Sequence, residues 1–130
     1  MAEAFTLPAY AKTLGISVDC VENGMPILTV DFSADVEGRP EHYHGGAIAG
    51  LLENAAYATL RGRLLDEGRD AKLKPVNITV QYLSAGKPLR SYAKARITRM
   101  GRRNANVSVE AWQSDRSKPI ASAVMNILMA

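Results

Sequence analysis

HYHGGAIAGLLENAAYATL, residues 42–60, is the stretch on which the reading of the fold turns. Ile48, Leu52, Ala56, Leu60 and Leu64 recur at four-residue steps, and Leu51 and Ala55 widen the stripe. That period belongs to an α-helix with a broad apolar face. The spacing predicts a helix over 45–65, roughly 30 Å long at 1.5 Å per residue. Its other positions are mostly alanine and glycine, small enough for a sheet to approach on several sides. Two features do not serve packing. His42 and His44, the only histidines, sit beside the Gly45-Gly46 pair at the helix start, and Glu53 is the one acid within the apolar run.

The segments on either side read as strands. Upstream, 16–22 and 27–32 read as strands joined through Asn23-Gly24, a strong hairpin signal. Leu7 to Leu14 reads as a short helix with Pro8 near its start and Gly15 as its stop. Downstream, Val76, Ile78, Val80 and Tyr82 alternate with polar residues; so do Ala93, Ala95 and Ile97, then Ala105, Val107, Val109 and Ala111. Ala121, Ala123, Met125 and Ile127 form a last run. The order is β-β-α-β-β-β-β after a short N-terminal helix. Short connections make successive strands antiparallel neighbours. The expectation is an α+β fold in which one antiparallel sheet wraps a single long central helix.

Composition narrows the class. A chain of 130 residues supports one domain, expected to span 1–130, and 47% hydrophobic with 22% charged residues argues against disorder. A formal charge of +3 suits an anionic ligand but is too diffuse for nucleic acid. The single cysteine, Cys20, forms no intramolecular disulfide and is expected in the core; no Cys/His spacing suggests zinc, and two histidines alone are weak evidence for a metal. No signal peptide is read in the opening residues, and no apolar run is long enough for a membrane span. A reduced, cytoplasmic setting is therefore expected.

The string HGGAIAGLLENAA (44–56) resembles the HGG-helix-acid signature of hotdog-fold acyl-CoA thioesterases of the PaaI-like and 4-hydroxybenzoyl-CoA thioesterase type. His44, Gly45 and Gly46 match the HGG, and Glu53 stands where that family carries its catalytic acid. The likeness continues through VNITVQYLSAG (76–86) and RMGRRNANVSVEAW (99–112). The resemblance implies hydrolysis of an acyl-CoA, with coenzyme A present as part of the substrate and no other cofactor. Glu53 would act as nucleophile or general base, and His44 would organise the loop and helix start. Asn54 and Tyr57 are the helix residues assigned to substrate. The resemblance puts a nucleotide-contacting turn at Gly101, Arg102, Arg103 and Asn104, with Lys87 and Arg90 as further cations near it in sequence.

Physical chemistry gives part of this independently. Amides at a helix start have no intrahelical partner and lie at the positive end of the helix dipole. Glycine lets a thioester approach them, so the Gly45 and Gly46 N–H groups suit an oxyanion hole. Glu53 lies eight residues beyond Gly45, a rise of about 12 Å. One thioester carbon cannot touch both groups of one chain. If the two cooperate, the acid must come from a second chain whose helix runs antiparallel across a two-fold axis, which is the arrangement the resemblance implies. A homodimer, or a dimer-of-dimers homotetramer, is expected.

Two positions depart from the family. Many members carry Asn or Gln six residues before the HGG histidine, where this chain has Gly38, with His42 the polar side chain available to substitute. Some place Ser or Thr early on the strand after the helix, near Pro75 here. These departures motivate an alternative: a non-catalytic hotdog protein that binds an acyl-CoA or another small ligand. A hotdog dehydratase ranks last, because those enzymes pair histidine and acid at a different spacing.

Overall fold

A computed structural model describes residues 5–130; residues 1–4, part of the segment read for a signal peptide, lie outside the described residues. Helix α1 (Ala9–Leu14) is followed by β1 (Ser17–Glu22), β2 (Met25–Val30), helix α2 (Gly45–Asp66), β3 (Leu73–Tyr82), β4 (Ser91–Met100), β5 (Asn104–Trp112) and β6 (Ala121–Met129). Local chemistry explains the boundaries. Gly15 ends α1 in the left-handed region (φ 83°), donating its N–H back to the last turn. Asn23 and Gly24 both have positive φ (53° and 78°), as a two-residue hairpin turn requires, and Glu22 faces Met25 across it.

The six strands form one antiparallel sheet in the order β1-β2-β4-β5-β6-β3. It curves around α2, whose Leu51, Leu52, Ala55, Ala56 and Leu60 are fully buried. Val107, Val109, Ala111, Ala121, Met125 and Ile127 close the core from the sheet side. Small residues on both surfaces allow this close approach. The fold is the hotdog fold.

Four expectations are corrected. First, β3 and β4 are consecutive but not neighbours. β4 is already flanked by β2 and β5, so β3 pairs with β6 at the far edge. Residues 83–90 carry the chain back across the sheet, held by bonds from the Leu83 and Ser84 N–H groups to the Ile120 carbonyl and from the Tyr43 N–H to the Gly86 carbonyl. Second, Cys20 is exposed, because the β1–β2 register shifts between Val18 and Cys20 and changes which side faces the core. Third, Val76 is 57% exposed, because a second register shift, between Pro75 and Asn77, breaks the alternation. Proline lacks a ladder N–H and is tolerated on this edge strand. Fourth, Tyr82, expected to face inward, is 56% exposed.

Edge strand β1 is tied down by charge. The Glu22 carboxylate accepts from Lys94 Nζ (2.7 Å) and, in a two-pronged contact, from Arg116 Nη1 (3.1 Å) and Nη2 (3.0 Å); Arg116 also lies 4.7 Å from the Trp112 ring centre. The Arg116 bonds, then the Lys94 bond, hold the Glu22 carboxyl down at about 2. A depressed carboxyl stabilises the fold above its unfolded value of about 4.3, and that contribution is lost as the pH falls towards the folded value. The stability difference between wild type and Glu22→Gln, measured by urea unfolding, should therefore be constant near neutrality. It should shrink as the pH falls from about 5 to about 2.

Candidate active site

The loop before α2 sets the helix start. Val36 is buried, its carbonyl accepts from the His44 N–H (2.7 Å), and Glu37 bridges to Tyr43. The Gly38 N–H donates to the His42 carbonyl and the His42 N–H to the Arg39 carbonyl, which folds 38–42 into a tight turn. Tyr43 is buried against Phe32 (ring centres 5.1 Å apart) and donates its hydroxyl to the Leu89 carbonyl (2.6 Å). At Gly38 a Cβ would stand 2.9 Å from His44 Cα. The polar side chain that the resemblance leads one to expect at this position has no room in this turn.

His44 is the N-cap of α2, in extended backbone conformation, and its Nδ1 accepts from the Gly46 N–H at 2.9 Å. The Gly46 amide is thus engaged inside the chain, unlike the pair of free amides expected from the sequence. The Gly45 N–H has no acceptor among the described residues. Gly45 is exposed, and a Cβ there would meet nothing closer than the Tyr82 ring at 3.5 Å, an ordinary contact. Nothing within the chain therefore requires glycine at position 45. Tyr82, whose part in the site the sequence did not signal, donates its hydroxyl to the Gly45 carbonyl (2.9 Å). Both residues line a cleft of about 340 Å³ with Arg39, His42, Ile48 and Ser84.

Helix α2 is covered by its own chain except along one stripe. Gly46, Ala49, Glu53, Tyr57 and Arg61, spaced three and then four apart, are its half-buried or exposed positions through the middle of the helix. Glu53 is half-buried, with no ion-pair or hydrogen-bond partner among the described residues. The Tyr57 hydroxyl is pushed up by burial, with the Glu53 charge adding and Arg61 opposing; the Arg61 guanidinium lies 5.8 Å from the Tyr57 ring centre. Asn54 is 3% exposed and donates its amide to the Gly50 carbonyl (2.8 Å), and it does not line the cleft at Gly45 within one chain.

Gly101, Arg102, Arg103 and Asn104 form the exposed β4–β5 turn, closed by a bond from the Gly101 N–H to the Asn104 carbonyl (2.8 Å). This turn belongs to the other end of the helix: Arg63 Nη1 reaches Met100 Sδ at 4.0 Å. Arg63 is eighteen residues beyond Gly45, about 27 Å along the axis. Within one chain the cationic turn and the helix start do not meet. Arg90, expected as a free cation, is taken up by Asp31 (3.3 Å), Asp19 (3.5 Å) and Thr29 (2.9 Å). No group of three metal-ligating side chains occurs among the described residues, and none of their helices is long and apolar enough to cross a membrane.

One antiparallel sheet wrapped around one long helix defines a protein of the hotdog class. The sequence profile described as the acyl-CoA thioesterase N-terminal domain matches residues 33–128, and the chain belongs to that family. Among curated proteins there is no match. Among solved structures, a Chromobacterium violaceum protein is 34% identical (TM-score 0.73), covering 93% of this chain and 82% of its own. The phenylacetic acid degradation protein PaaI from Thermus thermophilus superposes with TM-score 0.78 at 19% identity, covering 95% and 100%. A thioesterase from Haemophilus influenzae does so with TM-score 0.80 at 16% identity, covering 93% and 82%. The last two show likeness of fold alone.

The close contact at Gly38 makes a prediction. Gly38→Ala should lower stability by about 1–3 kcal/mol, the usual range for overpacking, in denaturant unfolding. Unchanged stability would contradict the tight seat of the turn on His44.

Proposed function

We propose that the chain hydrolyses an acyl-CoA thioester at a site shared by two subunits. The Gly45 N–H would bind the developing oxyanion, and Glu53 of the partner subunit would act as nucleophile or general base. The observation that carries this reading is the open stripe of α2. It presents an unpartnered carboxylate and leads to an amide without an acceptor, at a glycine the fold does not need. A half-buried carboxylate without a partner is costly and often functional.

The geometry required of the dimer is simple. If two α2 helices run antiparallel, Gly45 of one faces Glu53 of the other when the two-fold axis passes near Ala49, whose small side chain permits close approach. The partner's Arg63 end, with its cationic turn, then lies ten residues beyond its Glu53, about 15 Å further on. That is a distance a pantetheine arm can bridge, so Arg102 and Arg103 of the partner subunit would meet the coenzyme A phosphates. Tyr57, on the same stripe, would border the acyl group. His44 would hold the loop and helix start rather than take the proton. The exposed edge of β3, with Val76 and Tyr82 uncovered, is a second surface suited to a like copy.

Two measurements test the reading. Thiol release from a panel of aromatic, short and long acyl-CoAs should be seen with wild type and fall by about 10²–10⁴-fold in Glu53→Ala, the usual worth of a general acid–base group. Turnover that survives the substitution would remove Glu53 from the chemistry. Tight binding of CoA esters without thiol release from any of them would make the protein a binding module instead. Sedimentation should give a dimer or tetramer at micromolar concentration; a stable monomer would defeat the shared site.

A further inference from the structure

The two histidines are held in opposite tautomers. His42 Nδ1 lies 2.9 Å from the Pro40 carbonyl oxygen, and a carbonyl only accepts, so Nδ1 carries the proton and the neutral ring offers its Nε2 lone pair. His44 Nδ1 accepts the Gly46 N–H, so its proton is on Nε2. Of the two rings, it is His42 that lines the cleft with Gly45. Arg39, also in the cleft, only donates; the Tyr82 hydroxyl already donates to the Gly45 carbonyl; Ser84 adds a hydroxyl that can give as well as accept; and no carboxylate of the same chain lines it among the described residues. His42 is thus the one imidazole that lines the cleft holding the free helix-start amide, and Nε2 is the nitrogen it has left to accept with.

We propose that His42, through Nε2, holds the water that hydrolyses the thioester, supplying the polar contact that Gly38 has no room to provide. This rests on the shared-site reading above and deepens it. With Glu53 as base, the water gives one O–H to the carboxylate of Glu53 of the partner subunit and the other to His42 Nε2. Its oxygen attacks the thioester carbon, and the first proton passes to Glu53. The carbonyl oxygen takes the negative charge on the Gly45 N–H. As the carbonyl re-forms, the C–S bond breaks with its electron pair on sulfur, which takes the proton from Glu53. The products are the free acid and the coenzyme A thiol. His42 keeps its own proton throughout, because Pro40 fixes it on Nδ1. The role is to orient the water.

The test uses the full-length protein with its best acyl-CoA, comparing wild type, His42→Ala and His42→Gln, each first shown to have the wild-type sedimentation coefficient. His42→Ala should lower kcat by about 10–100-fold, the scale of a misplaced reactant, with KM within about twofold. His42→Gln sets an amide oxygen near the position of Nε2 and should recover part of the loss. If His42→Ala turns over like wild type, or changes KM alone, the water role is overturned while the thioesterase reading stands. If wild type cleaves no acyl-CoA, both are overturned. A readout independent of activity is ¹⁵N NMR of the two imidazoles in their neutral forms. It should show His42 protonated on Nδ1 and His44 on Nε2; His42 protonated on Nε2 would overturn the proposal.

Discussion

The structure depends on the envelopment of one long helix by one sheet. A 22-residue helix rich in alanine and glycine can be approached closely, and its own strands and α1 cover it except along a single stripe. Burial is favourable per unit of apolar area, so each uncovered helical position marks a place where the chain forgoes that gain. Through the middle of the helix the uncovered positions are Gly46, Ala49, Glu53, Tyr57 and Arg61. The stripe is small at its start, acidic at its centre and basic towards its end. A second copy of the same stripe, turned end for end, opposes these features in a complementary order.

The helix start depends on how the preceding loop is folded. Tyr43 is pinned by its hydroxyl and by Phe32, and His44 is pinned by Val36 behind and Gly46 ahead. Three glycines act differently within a few residues of one another. Gly38 admits the His44 backbone, Gly46 feeds its N–H to His44, and Gly45 does neither, which leaves its amide for something outside the chain. A motif that reads as one unit in sequence therefore divides into separate tasks. The histidine caps the helix, the second glycine is capped, and the first is free.

Much of this was legible in the sequence. The change from helical to alternating period locates α2 and the four strands after it, and Asn23-Gly24 and Gly15 locate the first hairpin and the end of α1 by chemistry that acts within a few residues. The errors lie where position depends on distant partners. β3 goes to the far edge because β4 is paired on both sides, which no local pattern encodes. Cys20 and Val76 are misread because both edge strands carry register shifts, and one extra residue moves the phase of the alternation. The spacing of Gly45, Gly46 and Glu53 was visible as a motif, and so was the distance that separates them. The His44–Gly46 bond, the tight seat of Gly38, the commitment of Asn54 to Gly50 and the reach of Tyr82 to Gly45 depend on three-dimensional contacts, and residue type alone does not reveal them.

The central claim is that one active site needs two chains, and subunit complementation tests it most directly. A Glu53→Ala protein and a Gly45→Val protein, each inactive alone, are mixed, dissociated and allowed to reassociate. Random pairing makes half the dimers mixed, and each mixed dimer has one site with an intact Gly45 from one chain and an intact Glu53 from the other. Activity should return to about a quarter of the wild-type value, as two-fold symmetry requires. If the mixture stays inactive although mixed dimers have formed, the amide and the acid do not serve one site across the interface, and the account is wrong.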